Sequence, residues 1–420
     1  MSKIPAAAVM VVPLAFVQPA LATSPTSNPG DPVQVGDSLV IDPIIDGRLR
    51  YEHVDQPTTE ADAITLRLRA GAEFRMNRLA LLVEGEGTLA IDGSYNAFPF
   101  LIASNQRRAQ YSTVPDPMNI ELNRLQMQYK GKAVTFTAGR QRINLDDQRW
   151  VGSVGWRQNE QTFDAVRAEA KIGPVSLDGT YAIGQRTIFG MDAGPRQSYK
   201  GDFFFVSGAM KLGPANARAF AYLVDYDEAF FFANSSQSYG LRATAAFPLG
   251  SGIKLDLIGS YARQSNHGSN PVDYSADYIL AEAGLSIRSL TLTAGWELLG
   301  SDAKAANGAG RALQTPMATL HKFNGWADVF LTTPNKGLRD TYAGASYKFS
   351  GVKALPGLNA AVMWHKFDSD VGGIDYGSEW NASVGFRLGP VSLLAKYANY
   401  EARGFGVDTE KLWLQADIAY

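Results

Sequence analysis

Cysteine is absent from the 420 residues, which removes disulfide frameworks, zinc–thiolate and iron–sulfur sites, and thiol nucleophiles. Long apolar runs are missing too: past the N-terminal segment no stretch of 18 or more consecutive apolar residues occurs, so membrane-spanning helices are excluded. Net charge is small, 39 Lys and Arg against 41 Asp and Glu, so no bulk positive charge is available to hold a nucleic acid. The four histidines, His53, His267, His321 and His365, are scattered, and none is paired at ligand spacing, so neither a metal nor a cofactor is expected. Asp146-Asp147 reads as a solvated loop pair rather than a calcium site. No G-x-S-x-G elbow is present, and the chain is not expected to be an enzyme.

Glycine is plentiful at 41 residues, above the usual share of about 7%. Residues 1–22 read as a secretory signal peptide: Lys3 is the lone charge, Ala6–Val17 is apolar, and Ala20-Leu21-Ala22 supplies a cleavage site. Residues 23–45 are expected to form a periplasmic lead-in, and residues 46–420 the folded body.

From residue 46 onward the hydrophobic pattern alternates with period two. In the run from Ile64 to Phe74, the residues Ile64, Leu66, Leu68, Ala70, Ala72 and Phe74 share one side, and Thr65, Arg67, Arg69, Gly71 and Glu73 the other. Such runs recur to the C-terminus and last about ten residues, longer than strands of soluble proteins. Their links alternate in length. Tight turns such as Gly173-Pro174, Gly213-Pro214 and Gly389-Pro390 alternate with long polar segments such as 93–118, 143–161 and 301–338. That parity predicts a transmembrane, up-and-down antiparallel β-barrel in a bacterial outer membrane, with short periplasmic turns and long extracellular loops. Eighteen strands are predicted, beginning near 47, 63, 79, 120, 134, 163, 175, 203, 217, 238, 253, 277, 290, 340, 360, 377, 391 and 411. The last, Lys411–Tyr420, ends on an aromatic residue, the form of signal read by the outer-membrane assembly machinery. Many aromatics are assigned to lipid-facing and interfacial positions, and the surrounding lipid and lipopolysaccharide are expected partners.

The polar parity supplies a lumen wall. It turns Thr65, Arg67, Arg69, Glu73 and Arg75 inward on one strand, Arg124, Gln126 and Gln128 on another, and Arg167, Glu169 and Lys171 on a third. Of the 24 arginines, 14 lie between residues 48 and 167, where only 2 lysines occur. Arginine offers a rigid fork that suits carboxylates. Salt bridges bracing neighbouring strands would use the same residues.

The segment from Gly139 to Arg167, GRQRINLDDQRWVGSVGWRQNEQTFDAVR, resembles the alginate export family of outer-membrane barrels, as do ATLHKFNGWADVFLTTPNKGLRDTYAG at 318–344 and DYGSEW at 375–380. The resemblance implies an 18-stranded pore for passive export of an anionic polysaccharide, handed over by a periplasmic scaffold and selected by an arginine-lined constriction. By that likeness Arg140 and Arg142 join Arg67, Arg69, Arg75, Arg124 and Arg167 as pore candidates, and Arg149 is a further one. Alternation from Val134, Phe136 and Ala138 turns Arg140 and Arg142 outward unless a bulge intervenes or the strand has left the membrane. An uptake porin for small sugars or organic acids is the alternative function.

Overall fold

In a computed structural model, which describes residues 30–420, the alternating segments become 18 antiparallel strands closed into one barrel. The first six are Leu39–Gln56 (β1), Thr59–Met76 (β2), Leu79–Ser94 (β3), Asn119–Lys130 (β4), Val134–Gln141 (β5) and Thr162–Ile172 (β6). The next six are Val175–Arg186 (β7), Ser198–Leu212 (β8), Ala215–Tyr226 (β9), Ser236–Gly250 (β10), Ile253–Asn266 (β11) and Ser275–Ile287 (β12). The last six are Leu290–Leu299 (β13), Leu338–Lys348 (β14), Asn359–Asp368 (β15), Asp375–Leu388 (β16), Val391–Ala402 (β17) and Thr409–Ala419 (β18). Each strand pairs with its sequence neighbour, and β18 closes on β1 from Asp46↔Ala419 to Asp55↔Glu410. Closure pairs the wall strands all the way round without an open edge strand, as a hydrocarbon environment requires. The expected signal peptide, 1–22, lies outside the described residues.

The barrel begins earlier than the alternation near 47 suggested. β1 pairs with β2 from Leu39 onward, so residues 39–45 belong to the wall rather than to a lead-in. Pro43 disguises this stretch, since proline cannot donate to a ladder. Ile45 exchanges both backbone hydrogen bonds with Tyr420, so the nitrogen of Pro43, two residues away, faces the same side. There β1 lies between the end of β18 and the short strand Val33–Val35, which pairs only with residues 39–41. The missing donor falls in a gap.

Side-chain parity follows the predicted alternation. Thr65, Arg67 and Arg69 are buried inside, whereas Leu66 and Leu68 are exposed on the outer face. The three Gly-Pro turns are alike: Gly173, Gly213 and Gly389 have φ of 58°, 59° and 58°, the left-handed setting that the first position of such a two-residue hairpin demands. Inside the wall, glycine makes room for rings. A Cβ on Gly240 would lie 2.3 Å from the Phe220 ring, and one on Gly295 would lie 2.3 Å from that of Tyr342.

Many aromatics do lie outward, among them Tyr129, Phe136, Phe204, Tyr261 and Trp380, but a second set lies inside. Phe203, Phe205, Phe220, Tyr222, Tyr226 and Tyr278 are buried on the inward faces of β8, β9 and β12. Trp150, from the loop between β5 and β6, packs against Phe220, Tyr222 and Tyr278 with centroids 5.5–6.3 Å apart. This cluster holds that loop inside the barrel. Asp146 and Asp147 are anchors rather than a solvated pair, bonded to Arg218 on β9 at 2.9 Å and Arg242 on β10 at 2.8 Å.

Candidate functional site

The arginines of β1 and β2 form adjoining ladders because Arg48 and Arg67 are register partners. Arg48 pairs with Asp417 of β18 at 2.7 Å and also donates to the carbonyls of Gly155, Trp156 and Arg157. Arg50 donates to the Trp156 carbonyl and to Gln415, and lies 4.2 Å over the Trp156 ring. The wall thus grips the inserted loop through its backbone oxygens.

The second ladder is mostly braced. Arg69 is bonded to Glu86 of β3 and to Glu160 at 2.9 Å. Glu160 is also held by Arg142 and by Asn123 at 3.0 Å. Burial alone would raise the Glu160 carboxyl, but Arg69 and Arg142 outweigh it and hold the group below its ordinary range. A bulge in β4 opposite Glu84 and Gly85 turns both Asn123 and Arg124 inward, where they share Glu84 at 2.8 and 2.6 Å.

Arg67 differs. Its Nη2 pairs with Asp46, yet its buried Nε and Nη1 have no hydrogen-bond partner. It borders a cavity of about 540 Å³ together with Arg48, Arg69, Arg142 and Lys396. The far side of this cavity is acidic: Glu282 on β12, Glu297 on β13 and Asp340 on β14, with Tyr342 donating to Glu282 at 2.6 Å and His365 beside Asp340 at 3.0 Å. Arginines are concentrated toward β1 and β2 and carboxylates toward β12–β14, but each arc carries counter-ions: Asp46, Glu160 and Asp417 among the arginines, and Arg149 against Glu297.

The eight predicted residues divide by position. Arg67, Arg69 and Arg142 line the cavity, Arg142 because β5 ends at Gln141 and the chain then turns inward. Arg140 does not line it. Its parity is that of Phe136 and Ala138, opposite to buried Thr137 and Gln141, and it pairs with its register partner Asp164 at 2.8 Å. Arg75 lies near the periplasmic end of β2 against Asp42 at 3.0 Å, and Arg124 spends its fork on Glu84. Arg167 pairs with Asp178 of β7 at 2.5 Å, and Arg149 is buried against Glu297 at 3.0 Å. Arg48, Lys396 and Trp156 line the cavity as well, outside the predicted set. Arg48 was within reach, since it shares the parity of the second ladder across one hairpin. Lys396, the lone cation of β17, was a weaker signal.

The loop between β13 and β14 completes the site. His321 stacks on Trp156 with centroids 4.4 Å apart, and its Nε2 lies 2.6 Å from Lys396 Nζ. Lys396 in turn sits 4.2 Å over Trp156 and 3.8 Å over Trp326. Asp328 receives His321 Nδ1 at 2.7 Å, Arg157 at 2.5 Å and Lys411 at 3.5 Å. Burial alone would raise its carboxyl, but those three groups hold it well below the usual range. Burial depresses His321 despite Asp328, so its ring is neutral near pH 7. Among the described residues no cluster of His, Asp and Glu is arranged to hold a metal ion.

Residues 48–184 match the family model described as Alginate export, while no curated protein matches the sequence. Among solved structures, Acinetobacter baumannii OccAB4 superposes with a TM-score of 0.68 at 9% identity, covering 94% of this chain and 100% of that one. Pseudomonas aeruginosa OpdK with vanillate gives 0.65 at 13% identity, and OccK2 (OpdF) of the same organism in complex with glucuronate gives 0.65 at 14%; each covers 90% of this chain and 98% of its own. At these identities the likeness is one of fold, an outer-membrane barrel with an interior path. The chain is an outer-membrane β-barrel channel, and its residues 48–184 are similar to the alginate export family.

Proposed function

We propose that the channel passively passes solutes carrying a carboxylate, as a conduit rather than an enzyme, and that Arg67 meets this carboxylate in the lumen. The observation that carries the reading is the pair of unpartnered, buried nitrogens on Arg67 beside a cavity of about 540 Å³. A guanidinium edge with free donors suits a carboxylate, and the volume is that of a site enclosing a small molecule. Sugar acids and small organic acids fit both features, and they agree with the vanillate and glucuronate found with two barrels of similar fold. The free donors of Arg67 would hold the acid toward β1 and β2 while Trp156 and Trp326 border the remainder.

The second reading is export of an anionic polysaccharide, favoured by the family match over residues 48–184. It uses the same arginines, with successive uronate units engaging Arg67, and a periplasmic scaffold supplying the polymer.

Reconstitution in a planar bilayer tests both. Joint Arg67→Ala and Arg69→Ala replacement is expected to lower anion selectivity and weaken block by glucuronate; unchanged selectivity refutes the carboxylate reading. Block by polyuronate oligomers added from the periplasmic side, absent with the monomer, would favour export.

A further inference from the structure

The loop between β13 and β14 crosses the lumen and is tied to every wall it meets. Asn324 donates to Glu297 at 2.7 Å and Asp340 at 3.2 Å, and the Ala327 N–H donates to Glu379 of β16 at 2.9 Å. His321 faces Lys396 of β17, and Asp328 faces Lys411 of β18. Asp328 is the only carboxylate in residues 303–337. Its backbone has a φ of 63°, a left-handed setting that residues with side chains seldom adopt, and the chain bends there to deliver this one group.

What surrounds Asp328 has the composition of an anion site. Arg157, Lys411 and His321 contact its two oxygens, and Lys396 stands behind His321. Arg157 has Glu52 at 3.3 Å and Asp116 at 3.9 Å as alternative partners, whereas among the described residues Lys411 has no carboxylate but Asp328 within 4.0 Å, and Lys396 has none. Withdrawal of Asp328 would leave the buried Lys411 ammonium uncompensated beside Lys396, a costly arrangement unless another anion enters. His321 and Lys396 also line the cavity that Arg67 borders, so a solute held there is next to the station.

We propose that Arg157, Lys396, Lys411 and His321 form an anion-binding station that Asp328 occupies at rest, and that a carboxylate-bearing solute displaces Asp328 and frees the loop. The loop's own acid thus stands in for the solute and keeps the lumen closed until the solute arrives. This rests on the carboxylate reading of the channel.

The absence of cysteine gives a direct test. Ala327→Cys places a single thiol on the loop at a buried position, and its labelling by a membrane-impermeant reagent is followed in reconstituted vesicles. Labelling is expected to be slow at rest and several-fold faster with glucuronate. Adding Asp328→Asn should make it fast without glucuronate and insensitive to it, and Lys411→Gln should act in the same direction. If Ala327→Cys does not fold, judged by heat-dependent gel migration, Val329→Cys reports on the same loop. Labelling that ignores glucuronate while glucuronate still blocks conductance overturns the station alone. Loss of both effects overturns the carboxylate reading itself. Slow labelling in the folded Asp328→Asn variant also refutes the proposal.

Discussion

Replacing Glu160 by glutamine separates bracing from selectivity, because one carboxylate serves two arginines. Glu160 lies 2.9 Å from Arg69, is bonded to Arg142 and accepts from Asn123 at 3.0 Å, with its side chain 4% exposed. At an effective dielectric near 20, charge centres about 4 Å apart attract by about 4 kcal/mol per pair, or roughly 8 kcal/mol gross for two pairs. Returning a carboxylate to water recovers several kcal/mol, so the expected net loss is about 3–5 kcal/mol. Arg69 retains Glu86 and Arg142 retains Glu84 at 3.4 Å, which moderates the loss. The same change adds one net positive charge beside the cavity. Urea unfolding in vesicles should show reduced stability, while the reversal potential under a salt gradient should move toward greater anion preference. The folded-state pKa of Glu160 lies below its unfolded value. Its contribution should therefore be complete above the unfolded pKa of about 4.3 and disappear as pH falls through the lower folded value. A stability loss with no gain in anion preference would refute the idea that the ladder's pairing limits its selectivity.

Acid should loosen the loop between β13 and β14. His321 has its pKa depressed when docked, so release takes up a proton and is favoured as pH falls below about 6.5. The ring faces Asp328, Lys396, Arg157, Trp156 and Trp413. Asp328, already held low, stays charged over that range. Open-channel probability should rise between pH 7.5 and 5, and His321→Gln should flatten the response. Gly295→Ala should cost about 1–3 kcal/mol in urea unfolding, because its Cβ would meet the Tyr342 ring at 2.3 Å. A second change, Tyr342→Ala, should restore part of that loss. Leu68→Arg, on the outer face beside inward Arg67, should cost about 2–4 kcal/mol in the same assay if the residue lies near the bilayer midplane; a neutral result would contradict the assigned parity.

The wall was legible in the sequence because a barrel in lipid must alternate. The turns at Gly173, Gly213 and Gly389 and the inward set Thr65, Arg67 and Arg69 follow from that requirement alone. Parity also placed Arg140 outward against the suggestion of the family likeness, and the strand geometry agrees with parity. What escaped was long-range. Asp146 and Asp147 are anchored by Arg218 and Arg242, far along the chain, and no local pattern announces such a pairing. The run Phe203-Phe204-Phe205 puts aromatics on both faces, so alternation cannot say which side is core. The cavity is what remains once the inserted loops have taken their places, and it is written in no single segment.

Closure of β18 on β1 makes assembly of the wall all-or-none. The partner of the first strand is the eighteenth, so the wall stays incomplete until both are in place. Any chain stopped short carries two bare strand edges, with their backbone donors and acceptors exposed for pairing elsewhere. A truncated product is thus marked by its own hydrogen bonds, and a finished one by their disappearance.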